Sequence, residues 1–279
     1  SGNANTCNAD GIEVAQKMAK LTADTMGISA DDVVVASTGV IGQPLDITPI
    51  ANAMEKLKAS LGANSDAAAE GIMTTDTVMK EVAVSFDING VECKIGGIAK
   101  GSGMIHPNMA TMLCFMTTDC AISSAMLQKA LSEDVKDSFN MISVDGDTST
   151  NDMVTVLANG MAGNPEITAE GDDFTAFMQA LNTITVQLCR MIAGDGEGAT
   201  KLLECSVTGA KDEKAAKTEA ELQEVKGALL GKQGAITELL KEMKNLSNEE
   251  KKTFGQAVNV LKNEVNDTLA KKREELIQK

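Results

Sequence analysis

The 279-residue chain has no tryptophan, no tyrosine, one histidine and only four prolines. With so few aromatic rings, its core must be built from Val, Ile, Leu and Ala, together with an unusual load of 16 methionines. The six cysteines (Cys7, Cys93, Cys114, Cys120, Cys189 and Cys205) are scattered, with no Cys-x-x-Cys pair. A single imidazole and such spacing exclude the common zinc patterns, so no metal is expected. The cysteines read instead as small core residues. No apolar run reaches membrane-spanning length and no signal-peptide pattern is present, so no membrane association is expected. A cytoplasmic protein with reduced thiols is the expectation. Positive charge is scarce where a nucleic-acid binder would need it. Of 25 Lys+Arg and 40 Asp+Glu, residues 211–279 hold 14 and 13, leaving 11 and 27 for residues 1–210. The acidic front argues against non-specific nucleic-acid binding there. The balanced, charge-dense tail is a different kind of polypeptide.

Apolar spacing over residues 11–26 (Ile12, Ala15, Met18, Ala19, Met26) predicts a helix. A Val-rich strand is expected over 31–36, followed by the loop 37–42, and a second helix over 49–61 with Pro49 in its first turn. Residues 81–98 alternate apolar and polar around Asn89-Gly90, a strong hairpin signal. A strand from Thr111 to about Thr117 should follow, then a helix over 123–139 capped by Ser123 or Ser124. A polar loop at 145–152 leads to a strand at Met153–Ala158, a long helix spans 174–192, and a Gly-rich loop at 194–201 precedes a strand at 202–207. The order predicts an α+β fold. Beyond Gly209, Leu222, Val225, Leu229, Ile236, Leu239, Met243 and Leu246 step by three and four, with one step of seven from Leu229 to Ile236, and Phe254, Val258, Leu261 and Val265 step by four, three and four. Two coiled-coil seams, broken at Gly231 and Gly234 and joined at a Ser247–Glu250 capping box, predict an antiparallel helical hairpin. The domains are read as 1–211 and 219–279.

The chemistry centres on Gly97 to Cys114, where glycines, one lysine and a Pro-Asn bend lead to Ala110-Thr111 and an apolar run. A threonine behind a strained turn can attack the preceding carbonyl. The chain would then cut itself at Ala110–Thr111, and the freed α-amine, with an ordinary pKa of about 8, would serve the hydroxyl as base. Ser37-Thr38-Gly39 is a plausible oxyanion donor group. Lys100 would meet a substrate carboxylate and Glu197 a substrate amine; an amino acid presents both. Competing readings are structural: β-branching alone suits Thr111 to a strand. His106 reads as a loop hydrogen-bonding group more readily than as a base. Asp145, Asp147 and Asp152 lack EF-hand spacing and suit turns and caps. Gly196–Gly198 lacks the P-loop Lys-Ser/Thr.

Six motifs in order carry a resemblance: Ser1 to Asn5; Ala36-Ser37-Thr38-Gly39-Val40-Ile41-Gly42-Gln43-Pro44-Leu45; Met73-Thr74-Thr75-Asp76-Thr77; Lys100 to Leu113; Val144 to Asp152; and Gly196 to Lys201. With them, residues 1–211 resemble the ornithine acetyltransferase (glutamate N-acetyltransferase) family. The resemblance implies a sandwich of sheets flanked by helices and self-cleavage between Ala110 and Thr111. It also implies a ping-pong reaction: N-acetylornithine acetylates Thr111 and leaves as ornithine, then glutamate takes the acetyl group. By matching position, Thr38 and Gly39 would stabilise the oxyanion, and Thr77, Lys100, Thr111 and Glu197 would contact substrate. No cofactor is implied; acetyl-CoA is a co-substrate where the bifunctional activity exists.

Family members also carry strands before the segment matching Ser1 and a long portion after Gly209-Ala210, which supplies Asn and Thr substrate contacts without counterparts here. The sandwich is therefore expected to be incomplete, with uncovered sheet edges that favour a homo-oligomer of cleaved chains. From about residue 219, Leu230 to Lys241, Leu246 to Glu250, Phe254-Gly255-Gln256 and Asn259 to Val265 resemble the N-terminal helical arm of the phenylalanyl-tRNA synthetase α subunit. The sequence thus reads as two family segments joined near 211–221. The alternative to catalysis is an inactive fused fragment whose tail binds tRNA or a partner helix. A related self-cleaving aminopeptidase fits the motifs less well.

Overall fold

The structure is a computed structural model that describes residues 3–62, 65–106, 112–145, 147, 149–204, 226, 229–230, 235–242 and 246–277. It divides into two compact units, Ser1–Leu202 and Leu203–Lys279. Among the described residues, no helix is long and apolar enough to cross a membrane.

The first unit is a mixed α+β layer. Helices α1 (Gly11–Met26), α2 (Thr48–Ala59) and α3 (Asp66–Gly71) precede strands β1 (Lys80–Ile88), β2 (Val91–Lys100) and β3 (Leu113–Thr118). Helix α4 (Ser124–Asp137), strand β4 (Met153–Ala158) and helix α5 (Asp172–Gly194) complete it. The strands form one sheet in the order β1-β2-β3-β4. The expected sandwich is not seen: among the described residues there is a single small sheet, with helices beside it. Asn89 and Gly90, at φ of 53° and 80°, make the tight turn between β1 and β2. Two successive left-handed residues match the twist of the strands, which is why an Asn-Gly pair sits there.

Register decides where the site lies. β1 and β2 are antiparallel with Lys80 opposite Ala99, and β2 and β3 are antiparallel with Lys100 opposite Leu113. β3 and β4 run parallel, with Leu113 opposite Met153. The start of β1, the end of β2 and the starts of β3 and β4 therefore line up along one end of the sheet.

Helix α5 covers the sheet with Phe174, Phe177, Leu181, Ile184, Leu188 and Ile192, all buried at helical spacing. Each contributes about 1.5–3 kcal/mol when fully removed from water. Phe177 meets Phe86 of β1 edge-on, with ring centroids 6.0 Å apart. Helix α4 packs against α5 and is capped by Ser123, whose hydroxyl accepts the Met126 N–H at 3.4 Å. A second, smaller core joins Val14, Met18 and Leu45 with Val35, Ile47 and Ile50 around α1 and α2.

Two expected strands differ. Residues 31–36 form no strand: Ala30–Asp32 is a 3₁₀ turn capped by Ser29, and the valines that follow remain unladdered. Val35 packs into the small core, but among the described residues no strand offers Val33–Ala36 a ladder; a bridge joins Asn3 to Val40. Extended valines without a partner stay coil. Of the strand expected over 202–207, Leu202–Glu204 carry no strand, and Cys205–Val207 lie outside the described residues. The strand assigned from Thr111 begins at Leu113.

In the second unit, α6 (Ala235–Glu242) and α7 (Asn248–Ile277) touch one another. The Ser247–Glu250 capping box forms: the Ser247 N–H donates to Glu250 Oε2 at 2.9 Å and the Glu250 N–H to Ser247 Oγ at 3.4 Å. Ile236 and Val258 are buried, while Leu239, Leu246, Phe254, Leu261 and Val265 are half-buried. Leu222, Val225, Gly231, Gly234 and Met243 lie outside the described residues.

Candidate functional site

The end of the sheet where four strand termini line up holds a buried ionic group. Lys80, the first residue of β1, is fully buried, and its Nζ lies 2.8 Å from Asp76 Oδ1 and 2.6 Å from Asp195 Oδ2. Its third donor reaches the Val78 carbonyl at 3.2 Å. A lysine has three N–H donors, so Lys80 is saturated. Asp76 also accepts the Gly101 N–H at 2.6 Å and the Thr74 N–H at 3.1 Å. Asp195, at the C-terminal end of α5, accepts the Thr77 N–H at 2.9 Å and the Thr77 hydroxyl.

Lys100, the last residue of β2, is 2 % exposed. Its Nζ donates to Thr74 Oγ1 at 2.7 Å and pairs with Asp76 Oδ2 at 3.6 Å. One of its three donors is left without a partner among the described residues. Burial draws the Lys100 ammonium below the usual lysine range, against the pull of Asp76. Burial opposes ionisation of Asp76, but the Gly101 N–H, Lys80, the Thr74 N–H and Lys100 outweigh it and hold the carboxyl below its ordinary value. Asp195 likewise overcomes its desolvation through Lys80 and Thr77 and is held at about 2.

The two Gly-rich loops singled out in the sequence meet here. The Glu197 N–H donates to the Ser102 carbonyl at 2.7 Å. The Glu197 carboxylate lies against Gly103, where a Cβ would fall 2.9 Å from Oε2. Glycine at 103 lets an acidic side chain approach the backbone. Thr75 and Ser102 share a hydroxyl–hydroxyl contact at 2.6 Å.

Beyond Ser102, the chain is held by acceptors that have no cationic partner among the described residues. Met104 has φ of 52°, an uncommon conformation for a residue with a Cβ. Asp145 fixes it, taking the Met104 N–H at 2.6 Å and the Ile105 N–H at 2.9 Å. Asp147 donates its N–H to Asp145 at 3.2 Å, so this pair does turn and capping work. Asp152 accepts the Met112 N–H at 3.1 Å, and burial lifts its carboxyl to about 6 against that hydrogen bond and one from Ser149. Among the described residues, no group of three or more His, Cys, Asp or Glu is arranged to hold a metal.

The structure thus gathers Thr77, Lys100 and Glu197. The oxyanion candidates sit in the loop before α2: Thr38 is 3 % exposed, and Gly39 has φ of 121°. Ser37 Oγ and Thr38 Oγ1 are buried without a hydrogen-bond partner among the described residues, as is His106 Nδ1. Ala110 and Thr111 lie outside the described residues, as do Pro107 to Met109. Sequence reading missed the roles of Asp76, Lys80 and Asp195. The four-residue step from Asp76 to Lys80 was a usable signal for one pair; Asp195 is 115 residues from Lys80 and left none.

Comparison with known proteins supports the family resemblance. The chain is 52% identical over 222 residues to the arginine biosynthesis bifunctional protein ArgJ 1 of Clostridium acetobutylicum, a match that covers 79% of this chain and 54% of that protein. It is 53% identical over 212 residues to the arginine biosynthesis bifunctional protein ArgJ of Symbiobacterium thermophilum, covering 75% and 53%. The crystal structure of the arginine biosynthesis bifunctional protein ArgJ of Bacillus halodurans matches with 41% identity and a TM-score of 0.36, over 39% of this chain and 58% of that one. The chain spans about half the length of the curated relatives it matches. The ArgJ family model matches residues 1–271. The chain belongs to the ArgJ family.

Proposed function

We propose that the chain transfers an acetyl group from N-acetylornithine to glutamate through Thr111, after cutting itself between Ala110 and Thr111. The α-amine freed by the cut takes the proton of the Thr111 hydroxyl as that oxygen attacks the N-acetyl carbonyl. The buried Thr38 hydroxyl, without a partner among the described residues, and the Gly39 N–H meet the negative charge that develops on the carbonyl oxygen. That proton passes from the α-amine to the leaving nitrogen as ornithine departs; the glutamate amine then attacks the acetyl ester, and the proton it gives up is returned through the α-amine to the Thr111 oxygen.

The observation that carries this reading is the contrast between two buried lysines. Lys80 has all three donors engaged, whereas Lys100 keeps one N–H without a partner among the described residues and feels the charge of Glu197. A buried ammonium with an open donor suits a carboxylate, and an acidic side chain nearby suits an amine. Thr77 donates its hydroxyl proton to Asp195, so it meets substrate as an acceptor. No resident cofactor is needed for this chemistry; acetyl-CoA would serve as an alternative acetyl donor. Cleaved chains are proposed to assemble as a homo-oligomer in the cytoplasm.

Mass spectrometry tests the reading directly. Two fragments are expected, the second beginning at Thr111 and gaining one acetyl group on incubation with N-acetylornithine. An intact chain, or acetylation elsewhere, rejects it.

A second reading concerns residues 219–279 alone. The capping box and buried seam residues support a helical hairpin of the synthetase-arm type, with tRNA or a partner helix as its target. Salt-dependent tRNA binding by the whole chain, lost when residues 219–279 are removed, is the expected result. Unchanged binding after that removal rejects it.

A further inference from the structure

We propose that Lys80 is a positioning residue that never meets substrate: through Asp76 and Asp195 it ties Lys100 and Thr77 into one anchoring unit. The inference rests on the functional reading above. Three segments far apart in sequence converge on its ammonium. Asp76 comes from the loop before β1, Asp195 from the end of α5, and Lys80 itself opens β1. Asp76 in turn holds the Gly101 N–H and Lys100, at the end of β2. Asp195 holds the main chain and hydroxyl of Thr77 and lies two residues before Glu197. Two of the contacts proposed for an amino-acid substrate, Lys100 and Thr77, are thus each joined to Lys80 through a single carboxylate.

The saturation of Lys80 separates positioning from binding. With its donors on two carboxylates and a carbonyl, and its side chain wholly buried, it has nothing to offer a ligand. Its positive charge also acts on Lys100 directly across the shared carboxylate. The groups that face Lys100 are Asp76 and Glu197, which favour its ammonium, and Lys80, which disfavours it. Lys80 therefore makes the Lys100 ammonium more acidic while Asp76 fixes its direction.

Lys80→Met alone strands two carboxylates, so the informative variant is Lys80→Met with Asp195→Asn. It removes one charge of each sign, and the amide oxygen introduced by the second substitution can still accept the Thr77 N–H. Two measurements decide the inference: glutamate affinity by calorimetry, and titration of the Lys100 ε-methylene by NMR with labelled lysine. Both use the whole chain, with Lys100→Met as control. Glutamate should bind at least tenfold more weakly to the double variant, and Lys100 should titrate at higher pH than in the wild type. Wild-type affinity in the double variant, with binding lost in Lys100→Met, overturns the inference and leaves the functional reading standing. An unshifted Lys100 titration also overturns it. Glutamate binding that survives Lys100→Met, or is absent from the wild-type chain, overturns the functional reading and removes the anchoring role assigned to Lys80.

Discussion

Two groups of aspartates flank the stretch from Lys100 to Met112, and they use the same side chain in opposite ways. Asp76 and Asp195 face the ammonium of Lys80 and are kept ionised in spite of burial. Asp145 and Asp152 face backbone N–H groups, and among the described residues neither has a cationic partner. The first pair binds distant segments through charge. The second takes the N–H groups of Met104, Ile105 and Met112, at a cost visible in the raised carboxyl of Asp152. Ionic partners confer rigidity between elements, whereas lone acceptors set local backbone direction.

The hardest test of this contrast is Lys80→Met. The ion pairs it breaks are almost wholly buried, with side-chain exposures of 0% for Lys80 and Asp76 and 5% for Asp195. Removing one partner of a buried pair costs about 3–5 kcal/mol, because the remaining charges are left uncompensated. Urea denaturation should show that loss at neutral pH; a loss below about 1 kcal/mol would mean the carboxylates are solvated after all.

A smaller effect comes from pH, with opposite signs on the two sides. The folded carboxyl of Asp195, at about 2 against an ordinary 3.8, contributes stability that is complete above about pH 4 and lost as pH falls toward 2. Asp152, at about 6 against 3.8, binds its proton more tightly when folded, so its contribution fades as pH rises from about 4 through 6. Asp152→Asn keeps an acceptor for the Met112 N–H and removes the charge. It should therefore stabilise the protein by about 1–2 kcal/mol at pH 7.5, after allowing for solvent screening, and by almost nothing near pH 4. Thermal melts at both pH values check this, and equal shifts at the two would contradict it.

Gly103→Ala sharpens the contrast at lowest cost. Its Cβ would press on the far end of the exposed Glu197 side chain, which can move. Stability should change by less than about 1 kcal/mol, while a ligand amine that depends on Glu197 should bind several-fold more weakly. Unchanged affinity for ornithine would remove Glu197 from the site.

Much of this arrangement is readable from residue pattern. Asn89-Gly90 specifies its turn, Met153–Ala158 its strand, and Ser247 with Glu250 their capping box, because each is a local rule acting within a few residues. The Val33–Ala36 run misled for the converse reason: strand identity depends on a partner, and valine preference alone does not supply one. Lys100 and Glu197 stood out by the chemistry of their loops. Lys80 and Asp195 were not, since their pairing exists only once α5 has folded back over the sheet. A lysine opening an alternating strand looks like a solvated end until its burial is known.

The ladder between β2 and β3 has a further consequence. Six residue pairs, from Ile95–Thr118 to Lys100–Leu113, join strands that flank the Ala110–Thr111 bond in sequence. If that bond is cut, the halves remain neighbours in one sheet, and nothing in the ladder needs to move. What changes is memory of connectivity. An uncut chain that unfolds can find its way back alone, whereas severed halves must meet again in solution. Regaining the fold then depends on concentration as well as sequence, which makes cleavage the point after which the native sheet is a product of its history.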